Sequence, residues 1–119
     1  MFSPIAIVGR ACVLSGALTP DDLWRNVAQG RDLVGPPPDG YWGLNADRIS
    51  APGVTGPETA CSRMGGYVDG FDAVFDPEGF ARPADRIRTL DPLFQWLLHC
   101  GREALREAGV STGAGDLTR

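Results

Sequence analysis

The chain has no lysine. All 11 of its basic residues are arginines, set against 15 acids for a formal net charge of −4 over 119 residues. That absence excludes two chemistries. A Walker A loop needs a lysine against the phosphates, and Schiff-base catalysis needs a lysine nucleophile. Histidine is nearly absent too, since His99 is the only one. The cysteines Cys12, Cys61 and Cys100 are odd in number and far apart. Neither the C-x-x-C spacing of a zinc site nor a disulfide framework can be built from them. Buried or idle thiols in a reducing compartment are expected instead, with no metal and no cofactor. The arginines are scattered among acids rather than gathered in a stripe, which argues against a nucleic-acid partner. No apolar run approaches the length that spans a bilayer. The N-terminus lacks the basic lead and long apolar stretch of a signal peptide. A cytoplasmic location without a membrane partner is the resulting expectation.

Glycine and proline are abundant, at 16 and 10 residues. Much of the chain is therefore expected to be turn and irregular loop, and a chain of this length is one domain or part of one. The densest stretch is residues 35–66, which runs from Gly35 to Gly66 and contains Pro36-Pro37-Pro38. It carries no periodicity. Loops of that length inside a domain are usually functional or partly disordered. It reads as a surface excursion tethered by Tyr41-Trp42. Residues 111–119 read as a polar, Gly-rich tail.

Three elements stand out. Ile5 to Val8 is a continuous apolar run between Pro4 and Gly9, the pattern of a strand buried on both faces by helices. Ile7 and Val8 should then be among the least exposed residues of the intact fold. Neither Gly9 nor Gly16 sits in a G-x-G-x-x-G pattern, so a dinucleotide site has little support. A first helix is expected over Pro20–Gln29. Thr19 suits its N-cap, Pro20 its first position and Asp22 the capping-box position. Leu18 and Leu23 are spaced as a hydrophobic staple, and Gly30 is a ready stop. Leu23, Trp24, Val27 and Ala28 line one face at helical spacing.

A second, longer helix is expected over Pro92–Ala108, capped by Asp91 and closed by Gly109. Leu93, Phe94, Leu97 and Leu105 belong to its apolar face and should point inward. His99, Arg102 and Glu103 belong to the polar face, with Arg102 and Glu103 outward. Between the helices, Tyr67 to Phe80 forms a turn-rich ribbon. Phe71, Val74, Phe75 and Phe80 are its packing anchors, and Asp72 and Asp76 are turn-forming residues rather than catalysts.

The order of these motifs resembles the opening of a β-ketoacyl synthase (ketosynthase) domain along nearly the whole chain. Ile5-Ala6-Ile7-Val8-Gly9, Ala11-Cys12 and Gly16 are similar to that family's first strand and turn. Leu23-Trp24 and Gly30-Arg31-Asp32 resemble its first helix and exit, and Pro38-Asp39-Gly40-Tyr41-Trp42 its proline-to-tryptophan segment. Gly65-Gly66-Tyr67-Val68, Phe71-Asp72-Ala73-Val74-Phe75, Leu90-Asp91-Pro92 and Glu103-Ala104-Leu105-Arg106-Glu107-Ala108-Gly109 follow in the family's order. Departures occur at Arg10, where modular synthases usually carry Met, and at Ser15, where they carry Pro. After Pro92, Leu93-Phe94-Gln95-Trp96 replaces the usual Gln and later Arg. That run is closer to single-domain fatty-acid enzymes or to iterative polyketide and polyunsaturated fatty-acid synthases, so both subclasses stay open.

The resemblance implies an α/β, thiolase-like fold. Residues 1–119 would be its incomplete N-terminal part: one buried strand, two main helices and a long irregular loop. It also implies a homodimer, an acyl carrier protein as partner, and an acyltransferase reaction. That reaction is decarboxylative Claisen condensation of acyl and malonyl thioesters in fatty-acid or polyketide biosynthesis. The family's nucleophilic Cys and two His residues lie beyond this stretch, so no catalytic residue is assigned. Thr59-Ala60-Cys61-Ser62 imitates the nucleophile motif. It precedes the glycine-aromatic motif instead of following it, lies in a Gly/Pro loop, and has no histidine pair. Cys12 is read as structural, and His99 as a solvent-facing or hydrogen-bonding residue. Two other readings remain: a non-catalytic interaction protein that keeps the ketosynthase front end, and an independent enzyme using Cys61. The 119-residue chain alone is expected to be inactive.

Overall fold

The computed structural model describes residues 3–43, 50, 56, 59–60 and 62–110. Its first helix, α1 (Pro20–Ala28), begins where the cap chemistry places it. Thr19 is held at φ −138° and its hydroxyl accepts from the Asp22 N–H at 3.1 Å. The same hydroxyl donates to the Asp22 carboxylate at 2.7 Å, a variant of the reciprocal capping box. Upstream, Leu14 and Ala17 exchange backbone hydrogen bonds around Ser15-Gly16, with Gly16 at φ +64°. That left-handed value favours glycine, and a Cβ there would also press on Leu33.

The long loop closes on itself. Gly35 and Gly65 exchange both backbone hydrogen bonds, at 3.0 and 2.9 Å, so the excursion leaves and returns at one point. Tyr41 packs edge-on against Tyr67 with ring centroids 4.8 Å apart, which realises the expected tether. The Tyr67 hydroxyl in turn donates to the Arg63 carbonyl.

A 3₁₀ turn over Phe71–Ala73 and a short helix, α2 (Ala84–Arg88), occupy what the sequence reading leaves as ribbon and linker. Helix α3 (Pro92–Glu107) starts under the Asp91 carboxylate, which accepts from the Leu93 N–H at 2.9 Å. The Gln95 amide donates to the carbonyls of Leu90 and Arg88, and so fastens the exit of α2 to the first turn of α3.

Two expectations are corrected. Ile5–Val8 forms no strand, since no sheet pairing reaches it among the described residues, and Ile7 is 84% exposed. A strand is defined by a neighbouring edge, and none lies beside this segment. The helix faces are the second correction. Leu93, Phe94, Leu97 and Leu105 are exposed, Leu97 at 61%, whereas Arg102 is buried at 5%. Trp24 and Val27 on α1 are exposed as well, and the buried residue of that helix is Asn26. In both helices the buried residues are polar, Asn26 on α1 and His99 and Arg102 on α3, while large apolar residues lie exposed.

The physical reason is which cover is at hand. Loop and ribbon segments cover Asn26, His99 and Arg102, while on the apolar side of α3 the N-terminal segment reaches Ala104 and Ala108 and leaves Leu93, Phe94 and Leu97 exposed. Among the described residues the buried apolar set is Ala17, Phe71 and Ile87. The radius of gyration is 18.6 Å, against about 13.5 Å for a packed domain of this length.

Candidate functional site

Two junctions organise the described structure. The first joins the N-terminal segment to the end of α3. Arg10 donates from its guanidinium to Glu107, Nη2 at 2.7 Å and Nε at 3.2 Å, and its backbone N–H binds the same carboxylate. These hydrogen bonds hold the Glu107 carboxyl below its usual range and raise the Arg10 guanidinium. Gly9 makes the approach possible, because a Cβ there would lie 2.0 Å from the Ala104 carbonyl oxygen. A groove of 650 Å³ opens beside the junction, with Thr19, Asp21, His99 and Arg106 among its walls. Two ion pairs lie in its walls, Arg10 with Glu107 and Arg106 with Glu103, each at 2.7 Å, and Asp21 adds a third carboxylate.

The second junction docks the ribbon on α3. Phe71 is buried and stacks with Phe75 at 5.2 Å, and meets Trp96 and His99 edge-on at 6.3 and 5.4 Å. One turn on, the Arg102 guanidinium lies 4.7 Å from the centroid of the Phe80 ring and donates to the Glu78 carbonyl at 3.0 Å. Asp76 is within 4.0 Å of it and Glu103 within 3.6 Å. The cation–aromatic contact and the carbonyl explain why a residue on the polar stripe is the buried one. Of the expected anchors Phe71, Phe75 and Phe80 pack here, whereas Val74 is exposed. Asp76 also fits its turn role, accepting from the Glu78 N–H at 2.9 Å.

No catalytic constellation is assembled by the described residues. Cys12 and Cys100 are free thiols, partly buried, and burial pushes both up rather than down. A nucleophilic thiol needs the opposite shift. No group of His, Cys, Asp and Glu side chains suited to a metal is present among the described residues. Cys61 lies outside the described residues, as does the tail at 111–119. His99 departs from its expected solvent-facing or hydrogen-bonding role, its Nδ1 having no hydrogen-bond partner among the described residues. It is 7% exposed, with aromatic rings against it, and burial lowers its proton affinity.

The family is decided by a match along nearly the whole chain: residues 2–118 fit the β-ketoacyl synthase N-terminal domain. The chain belongs to the β-ketoacyl synthase family. That family's N-terminal domain implies a thiolase-like α/β fold, of which the described helices are a part. Among curated relatives it is 40% identical over 110 residues to mycoketide-CoA synthase of Mycobacterium tuberculosis. That match covers 90% of this chain and 3% of the relative. It is 37% identical over 109 residues to polyketide synthase GfsA of Streptomyces halstedii, covering 90% of this chain and 1% of that protein. With the phthioceranic/hydroxyphthioceranic acid synthase of M. tuberculosis the identity is 34% over 119 residues, covering 98% and 6%. The chain thus spans a few per cent of the length of these relatives. No helix among the described residues is long and apolar enough to cross a membrane.

The sequence reading of this β-ketoacyl synthase chain missed the Arg102 site and α2. A signal for α2 was available, since Pro83 precedes Ala84-Asp85 with Asp85 in the first turn and Arg86 and Arg88 in the last. For Arg102 the signal was subtler: an arginine three residues after the single histidine, on the helix that follows Phe71, Phe75 and Phe80.

Proposed function

We propose that the chain is the N-terminal portion of a ketosynthase domain of the polyketide-synthase type. The intact domain would condense acyl and malonyl thioesters by decarboxylative Claisen chemistry. In that reaction loss of CO₂ from the malonyl unit leaves a carbanion equivalent that attacks the carbonyl of the enzyme-bound acyl thioester, forming the C–C bond and breaking the C–S bond so that the cysteine leaves as thiolate. The nucleophilic Cys and the two His residues would come from chain outside this portion. The observation that carries the reading is the family match over residues 2–118. The relatives named above favour the polyketide subclass over the fatty-acid one.

On this reading the portion has a structural task. The apolar faces of α1 and α3, with Trp24, Val27, Leu93, Phe94 and Leu97 outward, are surfaces that the rest of the domain covers. Contiguous exposed apolar surface of this kind marks an interaction site. Ile5–Val8 would gain its sheet neighbours there, which would complete the buried strand. An acyl carrier protein as substrate donor, a homodimeric assembly and a cytoplasmic setting complete the proposal. Nothing among the relatives favours a non-catalytic interaction protein.

The test is a condensation assay on the purified chain with acyl and malonyl carrier-protein thioesters, read by mass spectrometry. No ketoacyl product is expected from the chain alone, and product is expected when it is joined to the remainder of its ketosynthase. Product from the chain alone, lost in Cys61→Ala, would contradict the proposal.

A further inference from the structure

The ribbon–α3 junction contains one buried titratable imidazole among its aromatic contacts. His99 is packed edge-on against Phe71 at 5.4 Å and against Phe75 at 6.5 Å. Its Nδ1 is buried and has no hydrogen-bond partner among the described residues. A neutral imidazole tolerates this by leaving Nδ1 as the unprotonated nitrogen. A cationic imidazole carries an N–H on both nitrogens, and the new donor would face no acceptor. Arg102, three residues on and 5% exposed, already occupies the same junction with a full positive charge.

The charges around this histidine come from three sides. On α3, Arg102 and Arg106 oppose a second cation, while Glu103 favours one. Glu103 is already bound to Arg106 at 2.7 Å and lies 3.6 Å from Arg102, so its charge is shared. On the ribbon, Asp76 faces Arg102 at 4.0 Å, and the Glu78 carboxylate turns away toward Arg88 at 3.5 Å. From the N-terminal side, Arg10 and Asp21 line the same groove. Desolvation is the largest influence on the imidazole, and it favours the neutral form.

Gly70, just before Phe71, and Gly79, just before Phe80, turn the backbone at φ +72° and +79°. Phe71, Phe75 and Phe80 hold it down by side-chain contacts to Trp96, His99 and Arg102 rather than by a backbone ladder.

We infer that His99 is an acid-sensitive latch: neutral, it lets the Phe71–Phe80 ribbon dock on α3, and protonated, it releases the ribbon. The sign follows from linkage. The docked state binds the proton less tightly than the released state, whose imidazole has the ordinary value of about 6.5. Docking is therefore at full strength above about pH 6.5 and weakens as pH falls below it. The loss stops once the pH is below the docked value.

The experiment is a proton NMR titration of the full 119-residue chain, in which the single histidine gives one pair of imidazole C–H signals that titrate together. The expected result is a midpoint below the ordinary imidazole value, with the ring signals of Phe71 and Phe75 shifting at the same midpoint. In Arg102→Met, which removes the neighbouring cation, the midpoint should rise. In His99→Phe the acid-linked shift of the ring signals should vanish. An imidazole titrating at its ordinary value with the ring signals unmoved would overturn the inference. Persistence of the same acid step in His99→Phe would also overturn it. The wild-type titration decides the matter even if a variant fails to fold.

Discussion

Arg10 and Glu107 meet across 97 residues of chain, the arginine donating from both its guanidinium and its backbone N–H to one carboxylate. The side-chain ion pair is exposed, and such pairs contribute little by themselves. The backbone bond is the part that fixes the N-terminal segment. Glu107→Gln, which keeps an acceptor, should leave the Arg10 amide protected from exchange. Glu107→Ala should expose it, as read by hydrogen exchange at that amide. The Glu107 carboxyl is depressed by Arg10, so the ionic part of the tie, from the guanidinium, is present above the ordinary carboxylate range and is lost as pH falls through the lowered value, while the protonated carboxyl, like Gln, keeps an acceptor for the amide. Equal protection in the Gln and Ala variants would contradict this assignment.

Gly9 should not tolerate a side chain. Its added Cβ would stand 2.0 Å from a backbone oxygen of α3, which cannot swing aside as a side chain would. Gly9→Ala should cost about 1–3 kcal/mol, the usual range for forced overpacking, and should loosen the Arg10 tie. Denaturant melts of the two proteins measure it, and an unchanged midpoint would place the segment elsewhere.

The inverted faces of α3 give a paired prediction. Phe71 is buried, and Phe71→Ala should remove the centre of the aromatic cluster at a cost of about 3–5 kcal/mol. Leu97 is exposed, and Leu97→Ser should change the stability of the isolated chain by about 0.5 kcal/mol or less. Thermal melts of both variants decide between this arrangement and the reverse one.

Self-association is the fourth expectation. Ile5, Ile7, Trp24, Leu93, Phe94 and Leu97 all face outward, and unpaired apolar backbone invites pairing. Light scattering on the purified chain should show species larger than a monomer, reduced in Leu97→Ser. A monomer with a cooperative unfolding transition at ordinary temperature would indicate a self-sufficient domain.

The helix starts were legible because they rest on local chemistry. Thr19 and Asp91 cap as their side chains dictate, and both helices end within one residue of the expected bounds. The exposed sides were not legible, because amphipathic spacing shows which residues share a face without showing what covers it. Arg102 is the clearest case. Spacing puts it among the polar residues, and only the return of the ribbon brings Phe80 and the Glu78 carbonyl over it. His99 is buried by the same event. Ile5–Val8 has the composition of a buried strand, yet pairing is a property of two segments and only one is described. The motif at Cys61 looked like a nucleophile only when taken out of order, and it lies outside the described residues.

The claim that the outward apolar faces are the cover sites of a larger ketosynthase is tested most directly by hydroxyl-radical footprinting. Leu93, Phe94, Leu97 and Trp24 would be followed in the isolated chain and in the whole ketosynthase. Heavy oxidation of all four in the isolated chain and protection in the whole enzyme is the predicted result. Equal oxidation in both would show that these faces stay open to water, and would contradict the proposed role.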